Sequence, residues 1–427
     1  MITLMLKNIF FLFLFISLCS CKSVISLEIF EKGSESINED TEDDISEPIS
    51  NNYTFKTPSV FLITSGTETV QFEMQHVDGE KDLNLDTLTL NSSSDTSCEL
   101  NIEDSLTDNP KATLSNCSGN GRLWLSYNDN KSYEIYIKNN SDPLFVGTFD
   151  IRVTNDNKYA FVVDNSRDTL YKVDIETGIK TIVFSPTIGT GESISSMNGI
   201  HLNEAENRAY ITDNSKDALV VIDLETSVSS VVSNSSKGSG TNFSNITCVV
   251  VDKNEDYAYV ADRSVDRIFK IDVSTGNRTL LTPSTDIIYG MDLSSDQNSL
   301  YFVERSQKKV NVINLSTEIM NTISENQLGD TNLYNTPHGL AVDPLDSNFV
   351  YVMNQGGSDT LFKVDITSGE KSLISSKDKG IGPELISTLG MTISADGKFA
   401  FVVDTGSSAE AVLRIDLSTG DRIYISK

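Results

Sequence analysis

YAYVADRSVDRIFKIDVSTGNRTLL, Tyr257 to Leu281, decides the fold because the same pattern keeps returning. Five more copies run along the chain: YAFVVD…LYKVDIETGIKTIV from Tyr159, AYITD…LVVIDLETSVSSVV from Ala209, LYFVE…VNVINLSTEIMNTI from Leu300, VYVMN…LFKVDITSGEKSLI from Val350 and FAFVVD…VLRIDLSTGDRIYI from Phe399. Aligned on the residue that closes the first strand of each copy, they give Asp164, Asp213, Asp262, Glu304, Asn354 and Asp404, in steps of 49, 49, 42, 50 and 50. A strand-built period of this length predicts the blades of a β-propeller, and six copies predict six blades. Most strands are apolar on both faces, as in Tyr257, Ala258, Tyr259, Val260 and Ala261, which suits sheets sandwiched between neighbours. Each unit reads as four strands, and the turn after the third carries Gly276 or Gly420, where a bulged hairpin needs positive φ.

Working outward, the N-terminus belongs to none of these units. Lys7, the apolar run Ile9 to Leu18 and the sequence Leu18-Cys19-Ser20-Cys21 have the length and flanks of a secretory signal. Leu18, a small pair and Cys21 resemble the lipobox of bacterial lipoproteins, with Cys19 a slight departure; the resemblance implies a lipoprotein signal peptide over 1–20 and lipidation of Cys21. Lys22, where inner-membrane retention would favour Asp, points to the outer membrane of the cell envelope. Residues 21–51 carry nine Asp and Glu between Glu28 and Glu47 against Lys32 there, the composition of a disordered, self-repelling tether. The net charge of −28 argues against nucleic acid and against direct adsorption to anionic lipid, leaving the lipid anchor as the membrane contact.

Residues 52–140 change texture to short alternating strands bounded by Gly, Asn, Asp and Ser, as in a small β-sandwich. LNLDTLTLNSSSDTSCELNI from Leu83 and KATLSNCSGNGRLWLSY from Lys111 resemble bacterial immunoglobulin-like domains of surface proteins, which act as spacers or adhesion units. Trp124 reads as core. Cys98 and Cys117, 19 residues apart on neighbouring predicted strands, are candidates for a disulfide in an oxidising compartment, and Cys248 reads as a small buried apolar residue.

The fold predicted is therefore all-β: a six-bladed β-propeller over 141–427 behind an N-terminal immunoglobulin-like β-sandwich. Its repeats resemble the NHL, YWTD and YVTN types, which serve receptors, scaffolds and enzymes alike. PLFVG, Pro143 to Gly147, is a candidate latch strand for the last blade.

The innermost strands align as FDIRVT, NGIHLN, TCVVVD, YGMDLS, HGLAVD and LGMTIS. Between two apolar columns lies a mixed one: Arg152, His201, Val250, Asp292, Ala341 and Thr392. Charge where Val and Ala also fit needs a partner or a ligand. At the strand entrance stand Phe149, Asn198, Thr247, Tyr289, His338 and Leu389, with Asp150 next to them. The candidate ligand site is thus Asp150, Asn198, Tyr289 and His338 at the channel mouth, with Arg152, His201 and Asp292 deeper. The loops 185–197, 234–245, 324–336 and 376–388 are expected to crowd that mouth. DNSRD from Asp164 and DNSKD from Asp213 have calcium-like acidic spacing, but their recurrence favours turn closure.

Two functions follow. The first is a non-enzymatic binding or scaffold lipoprotein, its propeller recognising a protein or glycan and needing no cofactor. The alternative is a metal-dependent hydrolase or lactonase resembling the gluconolactonase class of propellers. That resemblance implies a divalent metal such as Ca²⁺ in the channel; Asn198-Gly199 matches one of three expected ligands, while His338-Gly339 and Phe149 depart from the others.

Overall fold

The computed structural model describes residues 53–427, except 56–61, 65–69, 77–87, 93–95, 104–110, 120, 128–129, 133, 139–143, 283–284, 329, 357–358 and 407–409. The signal segment, Cys21 and the acidic tether lie outside the described residues. Every regular element described is a strand.

From Thr148 onward the chain lays down six sheets, each built on four antiparallel strands in sequence order, with a short fifth strand, Thr190–Gly191, added in parallel to the second. Sheet one is Thr148–Val153, Tyr159–Asp164, Thr169–Asp174 and Lys180–Phe184. The inner strands of sheets two to six are Met197–Leu202, Ile246–Val251, Met291–Leu293, Thr336–Val342 and Thr388–Ile393. Each inner strand packs against the inner strand of the next sheet, and that of sheet six returns to that of sheet one. The array is a β-propeller.

The two-faced strands explain it. On Tyr257–Asp262 successive side chains point to opposite faces, so Ala258 and Val260 join a core with sheet two while Tyr259 and Ala261 join one with sheet four. Six such clusters fill the six gaps, each built from two adjacent sheets. The aligned acidic column has one task throughout. Asp164, Asp213, Asp262, Glu304, Asn354 and Asp404 each accept a backbone N–H from the segment entering their own sheet, and Asp164 and Asp213 also cap their own turns. The calcium-like spacing is turn closure.

Polar rivets join the sheets at the outer edge. Ser233, Ser324 and Ser375 each donate a hydroxyl to the hairpin carbonyl of the next sheet, at Gly276, Gly369 and Gly420, all at 2.7 Å. Arg278 and Arg422 donate to carbonyls of the loops before their sheets. Those loops run along the outer edge of the following sheet: Thr190–Gly191 even pairs in parallel with Val228 and Ser229. The long loops thus begin away from the axis, covering edge strands whose free N–H and C=O groups need partners.

The ring closes between two complete sheets. Ser426 donates to Gly178 O at 2.8 Å, repeating the serine rivet. Glu410 accepts from Thr148 N and Oγ1, as Asp359 accepts from Thr388 N and Oγ1 one seam earlier. Of PLFVG, the described residues Leu144 to Gly147 add no strand to sheet six; Phe145 instead enters the core between sheets six and one and meets Tyr171 edge-on.

Residues before the ring form a sandwich of two sheets. One orders Tyr53–Phe55, Val70–His76, Lys111–Ser118 and Ser97–Glu103; the other Leu62–Thr64, Ile135–Lys138, Gly121–Tyr127 and Leu88–Ser92. They share one core, including Phe72, Leu114, Leu123, Leu125 and Ile137. Cys98 and Cys117 are disulfide-bonded across neighbouring strands of the first sheet. Trp124 is half-buried and outside that core, because alternation puts it on the face opposite Leu123 and Leu125. The sandwich sits on the ring's seam: Arg122 donates to Ile175 O at 2.8 Å and Glu176 O at 2.7 Å in sheet one, while Ile135–Lys138 packs on Arg422–Ser426 of sheet six.

Removing Glu410 leaves Thr148 N buried without a partner, at a cost of about 1–3 kcal/mol. Glu410→Ala should therefore lower the urea midpoint, and Glu410→Ala with Ser426→Ala should lower it further. An unchanged midpoint in the double variant would show that the seam bonds contribute nothing.

Candidate functional site

The axis is lined by the inner strands, and their glycine column sets how close they come. A Cβ on Gly390 would meet Asp150 Cα at 2.4 Å, and one on Gly199 would meet Cys248 Cα at 2.7 Å. Asp150 occupies the same column in sheet one, and its carboxylate does structural work. Oδ2 accepts Ile200 N of sheet two at 3.1 Å, and Oδ1 accepts Ile151 N at 2.9 Å and pairs with Arg152 at 3.2 Å. Burial raises its pKa above the ordinary carboxylate value, against the pull of Arg152.

Asn198 is equally committed. It is buried, donates Nδ2 to Ile246 O of sheet three at 3.2 Å, and accepts Asn165 Nδ2 at 2.6 Å. His338 is buried beneath Tyr289, the two rings parallel with centroids 4.3 Å apart. Phe149, from the opposite side of the ring, comes within 5.9 Å of Tyr289 and 6.3 Å of His338. Three rings from sheets one, four and five therefore meet across the axis at the strand entrances, where the sequence placed an open mouth. Arg263 donates to Tyr289 Oη at 2.9 Å, and the Arg305 guanidinium lies 5.7 Å from the ring centre. Neither arginine was picked out from sequence, although each directly follows the aligned second-strand column.

The space lies at the other end. A cavity of about 260 Å³ is lined by Arg152, His201, Asp292, Ala341 and Thr392, five members of the mixed column. Val250, the sixth, is fully buried between sheets. The rim comes from turns between first and second strands, including Asn155, Glu204, Glu206 and Pro344. Sequence reasoning passed over these because turn polarity is ordinary. Asp292 accepts Leu293 N and, from sheet five, Val342 N, both at 2.9 Å. Burial raises its pKa, with Arg152 opposing and Asp150 adding to the rise.

His201 and His338 both keep a buried Nδ1 without a hydrogen-bond partner. Burial, then the charges of Arg152 and Arg305 respectively, push their pKa values down to about 3. Both rings are neutral at physiological pH. Cys248 is buried, its thiol pushed up to about 12, chiefly by burial. That is a packing residue, not a nucleophile.

The divalent-metal reading asks Asn198, together with Asp150 or His338, to supply ligands. The residues do not fit: Asn198 and Asp150 already hold backbone and amide groups of neighbouring sheets, and His338 lies under Tyr289. Among the described residues, no three His, Cys, Asp or Glu side chains converge as a metal set.

The two histidines make a pH test. A folded pKa below the unfolded value of about 6.5 means the unfolded chain takes up protons first, so stability is complete above pH 6.5 and falls as pH drops toward 3. In His201→Gln/His338→Gln, urea midpoints should fall less steeply between pH 6.5 and 4 than in the parent. Equal slopes would contradict the assignment of both rings as neutral.

No protein-family model matches the chain. No curated protein matches it. Among solved structures, a nidogen/laminin complex aligns at 13% identity over 60% of this chain and 89% of that one, with a TM-score of 0.48. Hydrazine synthase of Kuenenia stuttgartiensis aligns at 14% over 64% and 78%, also with 0.48. A Bacteroides thetaiotaomicron protein of unknown function aligns at 12% over 86% and 98%, with 0.49. At these levels of likeness, the propeller assignment stands on the chain's own sheet order and ring of inner strands.

Proposed function

We infer that the protein is a binding or scaffold lipoprotein of the cell envelope. Lipidated at Cys21 and held off the outer membrane by its acidic tether, it presents a six-bladed propeller, behind an immunoglobulin-like sandwich, to a protein or glycan. One observation carries this reading: the side chains best suited to chemistry at the axis are spent on construction. Asp150, Asn198 and Asp292 each hold backbone groups of the adjacent sheet, so the hub is built to be rigid. A rigid ring with a shallow polar well suits recognition. The sandwich supports the same reading, since it is joined to the ring by Arg122 and carries it as one piece.

Two measurements test this. Radiolabelled fatty acid should be incorporated into the parent chain and lost in Cys21→Ser; equal labelling would remove the anchor. The purified chain should bind one class of envelope glycan or protein saturably and turn over no member of a lactone and ester panel. Turnover abolished by Asn198→Ala in a protein that still folds would overturn the binding reading.

A further inference from the structure

The axial cavity has two poles. Arg152 spends Nη1 on Asp150, on Ile151 O and on Met391 O, while its Nε and Nη2 make no hydrogen bond to the described residues. Its side chain remains 15% exposed on a wall of the cavity. Three sheets round the ring, and so across the axis, Asp292 lines the same cavity. Each of its oxygens holds one backbone N–H and keeps a further lone pair. Exposed Glu204 adds a carboxylate at the rim from sheet two, the neighbour of Arg152's sheet. Half-buried Val153, Leu202 and Ile393 on the Arg152 side, with Leu340 and Ala341 beside Asp292's sheet, make the wall aliphatic.

Neither charge alone suits this lining. A simple anion would satisfy Arg152 but meet Asp292, Glu204 and Glu206, and a simple cation would leave the free edge of the guanidinium facing it. At about 260 Å³ the space falls short of the roughly 300–1,000 Å³ of pockets for drug-sized ligands. The three-ring closure at the opposite end leaves the rim as the way in and out. We propose that this cavity binds a small zwitterion, an α-amino acid or a very short peptide, its carboxylate on the free edge of Arg152 and its ammonium toward Asp292 across the axis. The aliphatic wall receives the carbon frame. The proposal rests on reading the propeller as a binding module and gives that module a small ligand distinct from its macromolecular partner.

Calorimetric titration of the full chain in detergent tests it, with glycine, alanine, leucine and Ala-Ala set against propionate, ethylamine and calcium chloride. The zwitterions should bind, and each half-molecule should bind at least tenfold more weakly. Thr392→Phe, which fills the cavity from the sheet beside Arg152 while keeping both charges, and Arg152→Gln should each weaken zwitterion binding at least tenfold. The thermal midpoint of Thr392→Phe should stay close to the parent's, and binding retained in that variant would overturn the proposal. So would half-molecules that bind as tightly as the zwitterions, calcium as the sole ligand, or no zwitterion heat at concentrations up to about 10 mM, where millimolar affinity is detectable. Binding of the envelope glycan or protein, measured on the same preparation, separates the two readings. Intact partner binding without zwitterion heat removes this inference alone.

Discussion

Sheet-against-sheet packing is what the rest of the molecule depends on. A strand such as Tyr257–Asp262 carries apolar side chains on both faces, and each face is buried only if a neighbour stands on that side. Burying one Val or Leu contributes about 1.5–3 kcal/mol, so a sheet lacking one neighbour forfeits many such terms at once. Closure into a ring gives every sheet two neighbours. The hydrogen bonds between sheets then fix spacing and register rather than supply the main driving force. Serine hydroxyls on glycine carbonyls and carboxylates on incoming amides recur from seam to seam, and the final seam repeats them.

That packing explains the polar hub. With inner strands close enough for a Gly390 Cβ to collide with Asp150, a charged residue survives at the axis only if it replaces a backbone hydrogen-bond partner. Asp150 and Asp292 do this for amides of the following sheet. Their perturbed ionisation follows from burial and marks construction as much as chemistry.

The repeat made the sheets, their order and the turn-closing acidic column legible in the sequence, because both strand alternation and the recurring Asp are local signals. The neighbouring-strand placement of Cys98 and Cys117 was legible for the same reason. Which end of the axis is open was not. Phe149, Tyr289 and His338 come from sheets one, four and five, and their meeting depends on ring sizes converging across the axis, which no alignment column encodes. The outward course of the long loops was hidden too, since their Gly and Ser content fits a mouth or an edge equally well. Trp124 was misread although alternation with Leu123 and Leu125 already placed it on the other face.

The sandwich touches the ring on both sides of its only non-consecutive joint, through Ile175 and Glu176 on one side and Arg422–Ser426 on the other. Tension arriving from the N-terminal side of the chain is therefore delivered to two sheets together, as a clamp would deliver it, instead of peeling a single terminal strand. Among the described residues, the sandwich contributes no strand to the ring yet holds it on both sides of that joint.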